Sequence, residues 1–283
     1  MKRQMTFINY NEKIISENKL QLSIENRAFR YGDGFFESIR MFDNKIPFIQ
    51  SHIKRIKNSM QILQMDSKKK FSIAYFEKQL KITAQKNKLS NARFRLSFFR
   101  NDGGFYTPKT NEVSFLIEAF PLTENKFTLN KKGYQLGLFD EIKKTSSPLS
   151  SVKSANALLF VMASIYKKKN NLDECLILNE KNNISESISS NVFIVKNKKI
   201  FTPPLTEACV AGIMRNEIIR LARKNKFQFL EKKISEQAIL TADEVFLSNS
   251  INGIRWVSEY KNKRFTNKTA LLLCDLLNEN LSD

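Results

Sequence analysis

Ile184–Pro204 reads ISESISSNVFIVKNKKIFTPP. Val192–Val195 is a short β-branched and aromatic run, and a second apolar run follows the polar triplet Lys196, Asn197 and Lys198. Two such runs with a polar triplet between them read as a β-hairpin. Pro203 and Pro204 end its second strand, because proline has no N–H for a ladder. Ahead of the hairpin, Glu186 clusters with the hydroxyls of Ser189 and Ser190. By itself that cluster is a polar loop, since Ser and Asn favour local hydrogen bonds.

Downstream lies Thr202–Arg215, TPPLTEACVAGIMR. Gly212 opens a helical pattern that runs to Lys224. The first N–H groups of a helix lack intrahelical partners, so this start is either an anion site or an ordinary helix beginning. Upstream lies Ser151–Ser164, SVKSANALLFVMAS. Lys153 precedes an apolar helical pattern there. It is either the exposed first residue of that helix or an amine partly desolvated by apolar walls. Desolvation favours a neutral, nucleophilic amine. Nearer the N-terminus, Asn26–Arg40 reads NRAFRYGDGFFESIR, in which Gly32-Asp33-Gly34 marks a tight turn. His52–Arg55, HIKR, follows within an amphipathic helix; taken alone, Arg55 is a surface residue and His52 a capping or core histidine.

Further strand-like runs are Met5–Tyr10, Phe94–Phe99, Val113–Phe120, Tyr134–Phe139, Glu174–Leu178, Phe227–Leu230 and Val245–Leu247. Helical periodicity covers Ile49–Leu63, Ile73–Gln85, Asn156–Lys168, Gly212–Lys224 and Lys268–Asn278. Strands and helices are mixed without strict alternation, which points to an α+β or mixed α/β fold. The polar stretch around Pro121–Lys132 divides the chain into an N-terminal α/β lobe (1–121), a connector (122–132) and a C-terminal lobe (133–283) carrying Lys153.

The 283 residues include 47 Lys and Arg against 28 Asp and Glu, a formal charge of +19. The basic residues are spread along the chain, and the runs Lys68–Lys70 and Lys167–Lys169 are too short for a nucleic-acid-binding tail. A solvated basic surface is the expectation, with no nucleic-acid partner. Cys175, Cys209 and Cys274 form no CxxC pair, which points to no disulfide framework and no metal site. No apolar run approaches the ~20 residues of a membrane span, and the N-terminus has no apolar signal core. A cytoplasmic protein without a membrane partner is expected.

The order of these segments resembles the class IV aminotransferase family, the fold type IV enzymes that use pyridoxal-5′-phosphate (PLP). YGDGFFESIR, HIKR, KSANAL, ISESISSNVFIVKNKKIFTPP and GIMR each look like a family motif, and the resemblance runs from about Asn9 to about Val257. It implies a two-lobed fold with the active site between the lobes. It implies that Lys153 holds PLP as a Schiff base and then shuttles protons, and that Glu186 partners the pyridine nitrogen. Arg55 resembles the phosphate clamp, joined by the backbone N–H groups of Ile213 and Met214 behind Gly212 and by Ser250. Ser189, Ser190 and Asn191 complete the implied cofactor-binding set. Tyr31, Phe36, Arg100 and Tyr106 are the implied substrate contacts, and the loop holding Tyr106 implies a homodimer.

Within the family, three details lean towards 4-amino-4-deoxychorismate lyase, which releases pyruvate and p-aminobenzoate. Met214 stands where many aminotransferases carry Thr. ADEVFLSNSINGIRWV is similar to the lyase segment. KSANAL lacks the tyrosine of branched-chain enzymes. Glu37, where some lyases have Thr, and Trp256, in place of the usual Pro, lean the other way. The alternatives are an aminotransferase for branched-chain or D-amino acids with 2-oxoglutarate and, in another class, a non-catalytic basic binding protein.

Overall fold

The hairpin read in the sequence closes as expected in the computed structural model, which describes residues 6–282. Asn197 and Lys198 both take positive φ, 49° and 60°, and Lys199 pairs with Lys196. That is the backbone of a two-residue turn whose twist matches its strands. Met5, the first residue of the first expected strand, lies outside the described residues, as do the extreme ends of both expected lobes.

The chain divides into two compact units, Met1–Asn125 with Val152–Asn156, and Lys126–Ser151 with Ala157–Asp283. The break after Asn125 falls inside the expected connector. The expectation that the C-terminal lobe carries Lys153 is corrected, because the five-residue piece holding it pairs with the first unit. There the backbone N–H of Phe36 donates to Lys153 O and that of Ala155 to Gly34 O, each at 2.9 Å.

The first unit contains β1 (Phe7–Tyr10), β2 (Lys13–Ser16), α1 (Arg27–Tyr31), β3 (Gly34–Met41), α2 (Ile49–Ile62), α3 (Ile73–Lys86), β4 (Ala92–Arg100) and β5 (Val113–Pro121). The strands form one antiparallel sheet in the order β2-β1-β5-β4-β3. In α2, Ile49, Ile53, Ile56 and Met60 recur at helical spacing and pack into the core, and Phe76, Leu80 and Ala84 of α3 do the same. Phe71, Phe76, Phe98 and Phe115 meet there with ring centroids 4.9 to 6.3 Å apart. Edge and offset ring pairs of this kind add stabilisation beyond their buried area.

The second unit contains β6 (Tyr134–Lys144), α4 (Leu158–Lys169), β7 (Glu174–Asn179), β8 (Ile184–Ser187), β9 (Asn191–Lys196), β10 (Lys199–Thr202), α5 (Ile213–Lys224), β11 (Gln228–Glu231), α6 (Glu236–Leu240), β12 (Glu244–Asn249), β13 (Gly253–Tyr260), β14 (Lys263–Arg264) and α7 (Lys268–Ser282). Its sheet runs β11-β10-β9-β12-β13-β6-β7-β8, with β14 beside β13. β6 pairs parallel with β7, and β10 with β11, through the helices α4 and α5 respectively, so this sheet mixes parallel and antiparallel ladders.

Periodicity located every long helix to within two residues at its start. It missed β2, β3, β8, β13 and β14. Six of the eight β3 residues are buried, so the strand lacks the alternation by which a half-buried strand is read.

Candidate functional site

Each unit presents a cluster of the residues singled out above. In the first unit, α1 ends at Gly32, whose φ of +63° makes it the left-handed cap. The chain then turns directly into β3. Gly34 has no room for a side chain, since a Cβ there would lie 2.4 Å from Phe98 O. These two glycines bring Phe36 beside the Lys153 strand. Lys153 Nζ lies 4.5 Å from the Phe36 ring centroid, and the Arg95 guanidinium carbon lies 3.8 Å from the same centroid. Lys153 is half-buried and extended, five residues ahead of the first residue of α4. Its apolar wall is therefore an aromatic ring of β3, where the sequence had suggested the helix that follows.

Arg55 of α2 is largely buried and gripped by Glu37 of β3, with Nε to Oε1 at 2.6 Å and Nη2 to Oε2 at 2.6 Å. His52 Nδ1 lies 2.8 Å from the same Oε2. Glu37 and His52 are both buried. Burial alone would push the Glu37 carboxyl up, but the Arg55 guanidinium and the hydrogen bonds from His52 and Arg55 hold it down at about 2. The surface reading of Arg55 is corrected. Its guanidinium is a fixed, oriented cation whose counter-ion is built into the neighbouring strand.

Tyr31, Arg100 and Tyr106 belong to one scaffold. Asp33 Oδ2 accepts from Arg27 Nε at 2.8 Å and Arg100 Nε at 3.0 Å. Arg27 also donates to the carbonyls of Gly103, Phe105 and Tyr106, which ties the 103–106 loop down. Arg100 is buried and donates to Leu63 O, Gln64 O and Asn111 Oδ1. Its donors are turned into the protein fabric, so the structure gives it a scaffolding part in place of the expected substrate contact. Tyr106 is 89% exposed and packs on Tyr31, ring centroids 5.6 Å apart.

In the second unit, Glu186 of β8 is buried, and both of its carboxylate oxygens are engaged. Oε1 pairs with the Lys144 ammonium, and Oε2 accepts the Val210 N–H at 3.1 Å. Two residues beyond Val210, Gly212 caps α5 without any side-chain hydrogen bond to the helix start. Asn191 Nδ2 donates to Val210 O at 3.0 Å. A Cβ on Gly212 would meet Asn191 Oδ1 at 1.8 Å, so only glycine fits there. Ile213 and Met214, the first residues of α5, are buried. Ala211 N–H donates to Ser151 O at 3.4 Å, two residues ahead of Lys153 in the chain.

The hydroxyls of the third segment are already partnered. Ser189 Oγ donates to Glu174 Oε2 at 3.0 Å, and Ser190 Oγ accepts from Asn249 Nδ2 at 2.9 Å. Asn249 Oδ1 also accepts the N–H groups of Ile251 and Asn252, closing the turn that carries Ser250.

Sequence reasoning missed Arg95, Lys144 and Asn249 and weighed Glu37 only as a mark against the lyase. Arg95 carried a signal: Arg93, Arg95 and Ser97 alternate with Phe94, Leu96 and Phe98, which puts them on one face of β4. Lys144 carried none, because its partner lies 42 residues away in the chain.

These residues fit a phosphorylated pyridine aldehyde on three structural grounds. Glu186 is a buried carboxylate, the kind of group that suits a protonated ring nitrogen. The start of α5 is opened by a residue without a side chain, Gly212, and makes no side-chain cap hydrogen bond, which suits a phosphate approaching backbone N–H groups. Lys153 offers an amine beside an aromatic wall.

Comparison with known proteins agrees with that chemistry. The family model described as amino-transferase class IV matches residues 34–260. A "putative branched-chain-amino-acid aminotransferase" of Methanocaldococcus jannaschii is 28% identical over 282 residues, 98% of this chain and 95% of the relative. A D-alanine aminotransferase of Bacillus licheniformis is 25% identical over 248 residues, 85% of this chain and 83% of the relative. The crystal structure of a "putative 4-amino-4-deoxychorismate lyase" from Legionella pneumophila superposes with a TM-score of 0.84 at 26% identity, covering 93% of this chain and 97% of that one.

Proposed function

This chain belongs to the amino-transferase class IV family, and we propose that within it the protein is a 4-amino-4-deoxychorismate lyase. It is an enzyme with PLP as its cofactor. Bound PLP supplies an electron sink that acidifies the C–H next to the substrate amine.

The chain's own residues do the rest. Lys153 would hold the cofactor through its aldehyde and would move the proton at the substrate carbon. Glu186 keeps the ring nitrogen protonated. Arg55, the N–H groups of Ile213 and Met214, and the Ser250 hydroxyl bind the phosphate. Ser189, Ser190 and Asn191 keep the strand and the α5 cradle around it in register. Phe36 and Arg95 receive the substrate, the ring packing on its apolar part and the guanidinium pairing with a carboxylate. Tyr31 and Tyr106 border the same entry.

The observation that carries the lyase reading is the turn after β12, closed by the Asn249 carboxamide and followed by Gly253 at a φ of +66°. It gives a built structure to the segment ADEVFLSNSINGIRWV, and Met214 at the head of α5 leans the same way. The second reading is an amino acid aminotransferase, favoured by the names of the two relatives above. Both reactions need the same proton removed by Lys153, so the shared machinery serves either.

The reading includes a cytoplasmic homodimer. Leu158, Val161, Met162 and Ile165 of α4 recur at helical spacing and are all exposed in the single chain. Among the described residues no helix is long and apolar enough to cross a membrane.

A paired assay tests the proposal. With aminodeoxychorismate the purified enzyme releases p-aminobenzoate and pyruvate, and Lys153→Ala abolishes both products together with the visible PLP absorbance. Turnover only of L-leucine, L-glutamate or D-alanine with 2-oxoglutarate would replace the lyase reading by the aminotransferase.

A further inference from the structure

Lys144, at the end of β6, is the partner of Glu186, and nothing in its local sequence marks it. Its side chain is 12% exposed and that of Glu186 is 5% exposed, so the pair is withdrawn from water. Three contacts fix the ammonium: the Glu186 carboxylate, the Ser150 carbonyl at 3.2 Å and the Phe160 ring, whose centroid is 5.5 Å away. The second carboxylate oxygen is held by the Val210 N–H at 3.1 Å, in the segment that leads to the start of α5. A buried carboxylate without a cation would take up a proton. One with both oxygens fixed keeps its charge and a single orientation.

We propose that Lys144 is a positioning residue for the reaction: its ammonium holds the Glu186 carboxylate aimed, and its charge sets how tightly the site holds the proton that Glu186 shares with a basic ring nitrogen. The inference rests on the PLP reading above and deepens it at one residue. The sign follows from electrostatics, because a nearby positive charge makes any shared proton easier to lose. Near the pair lies Cys209, whose thiol feels Glu186, Arg215 and Lys144. Burial, then the Glu186 charge, pushes the Cys209 thiol up to about 11, while Arg215 and Lys144 oppose that rise. Cys209 therefore stays neutral across the working pH. Lys144 is thus the cation in this group whose removal changes the charge beside Glu186.

The test compares Lys144→Met and Lys144→Arg with wild type, each loaded with PLP. The bound cofactor's visible absorbance is titrated with pH, and kcat and KM are measured separately. In Lys144→Met the pH at which the absorbance titrates rises by at least half a unit. Its kcat falls about tenfold with KM changed less than threefold, and Lys144→Arg restores both. A Lys144→Met enzyme that loses thermal stability but keeps the wild-type titration and kcat would make Lys144 a structural strut and overturn the inference alone, provided Lys153→Ala still abolishes the band. Wild type that takes up no PLP overturns the inference together with the function it rests on.

Discussion

At the residue scale, Glu37 decides how Arg55 can act. A guanidinium on an amphipathic helix normally faces water. Here a carboxylate from the adjacent strand binds it through two parallel hydrogen bonds, which fixes its plane and direction. The same carboxylate anchors the buried His52. Because the Glu37 carboxyl is held down at about 2, its stabilising contribution is complete above the ordinary carboxylate range and is lost as pH falls through the folded value. The shift corresponds to a contribution on the order of 3 kcal/mol at neutral pH. Glu37→Gln should therefore be less stable than wild type by about that amount at pH 7, and the gap should shrink by about half at pH 3. Urea unfolding at the two pH values measures it. A gap that persists in full at pH 3 would show that the carboxylate's charge is not its source.

At the element scale, the start of α5 depends on one glycine. Gly212 has an ordinary φ of −67°, so its need is for space and not for backbone freedom. Asn191 fills that space, and its carboxamide also holds Val210 O. Gly212→Ala should displace the helix start, weaken PLP binding by tenfold or more and lower the melting temperature. Asn191→Ala alone loses a hydrogen bond and should also destabilise. Combined, the two changes should cost clearly less than their sum, because the second removes the atom the first collides with. Strict additivity in thermal unfolding would mean the two side chains do not compete for that volume.

At the scale of the whole molecule, the +19 charge and the apolar face of α4 concern what the protein meets. The charge is dispersed, and a small part of it decorates helix ends such as Lys167–Lys169, where cations favour the negative end of the helix. The α4 face is different in kind. Four large apolar side chains along one stripe of a helix in water are unfavourable unless another surface covers them. Replacing both Val161 and Ile165 by Asp should convert the proposed dimer into a monomer at micromolar concentration, read by sedimentation. An unchanged sedimentation coefficient, equal to that of a wild-type dimer, would place the interface elsewhere.

Local patterns in the chain were enough for the hairpin at Asn197–Lys198 and the long amphipathic helices. Each is written in neighbours two to four residues apart, the range over which backbone conformation and periodicity act. Legible too was the family, since its motifs are short and ordered. Tertiary structure alone decided the rest. It brought Phe36 and Arg95 to Lys153, gave Glu37 to Arg55, gave Lys144 to Glu186, and turned Arg100 inward. It also placed Lys153 with the first unit, against the division read from composition. These are pairings between residues from about 18 to more than 100 positions apart. A buried charge accepts whichever partner the fold delivers, and nothing in its own neighbourhood names that partner.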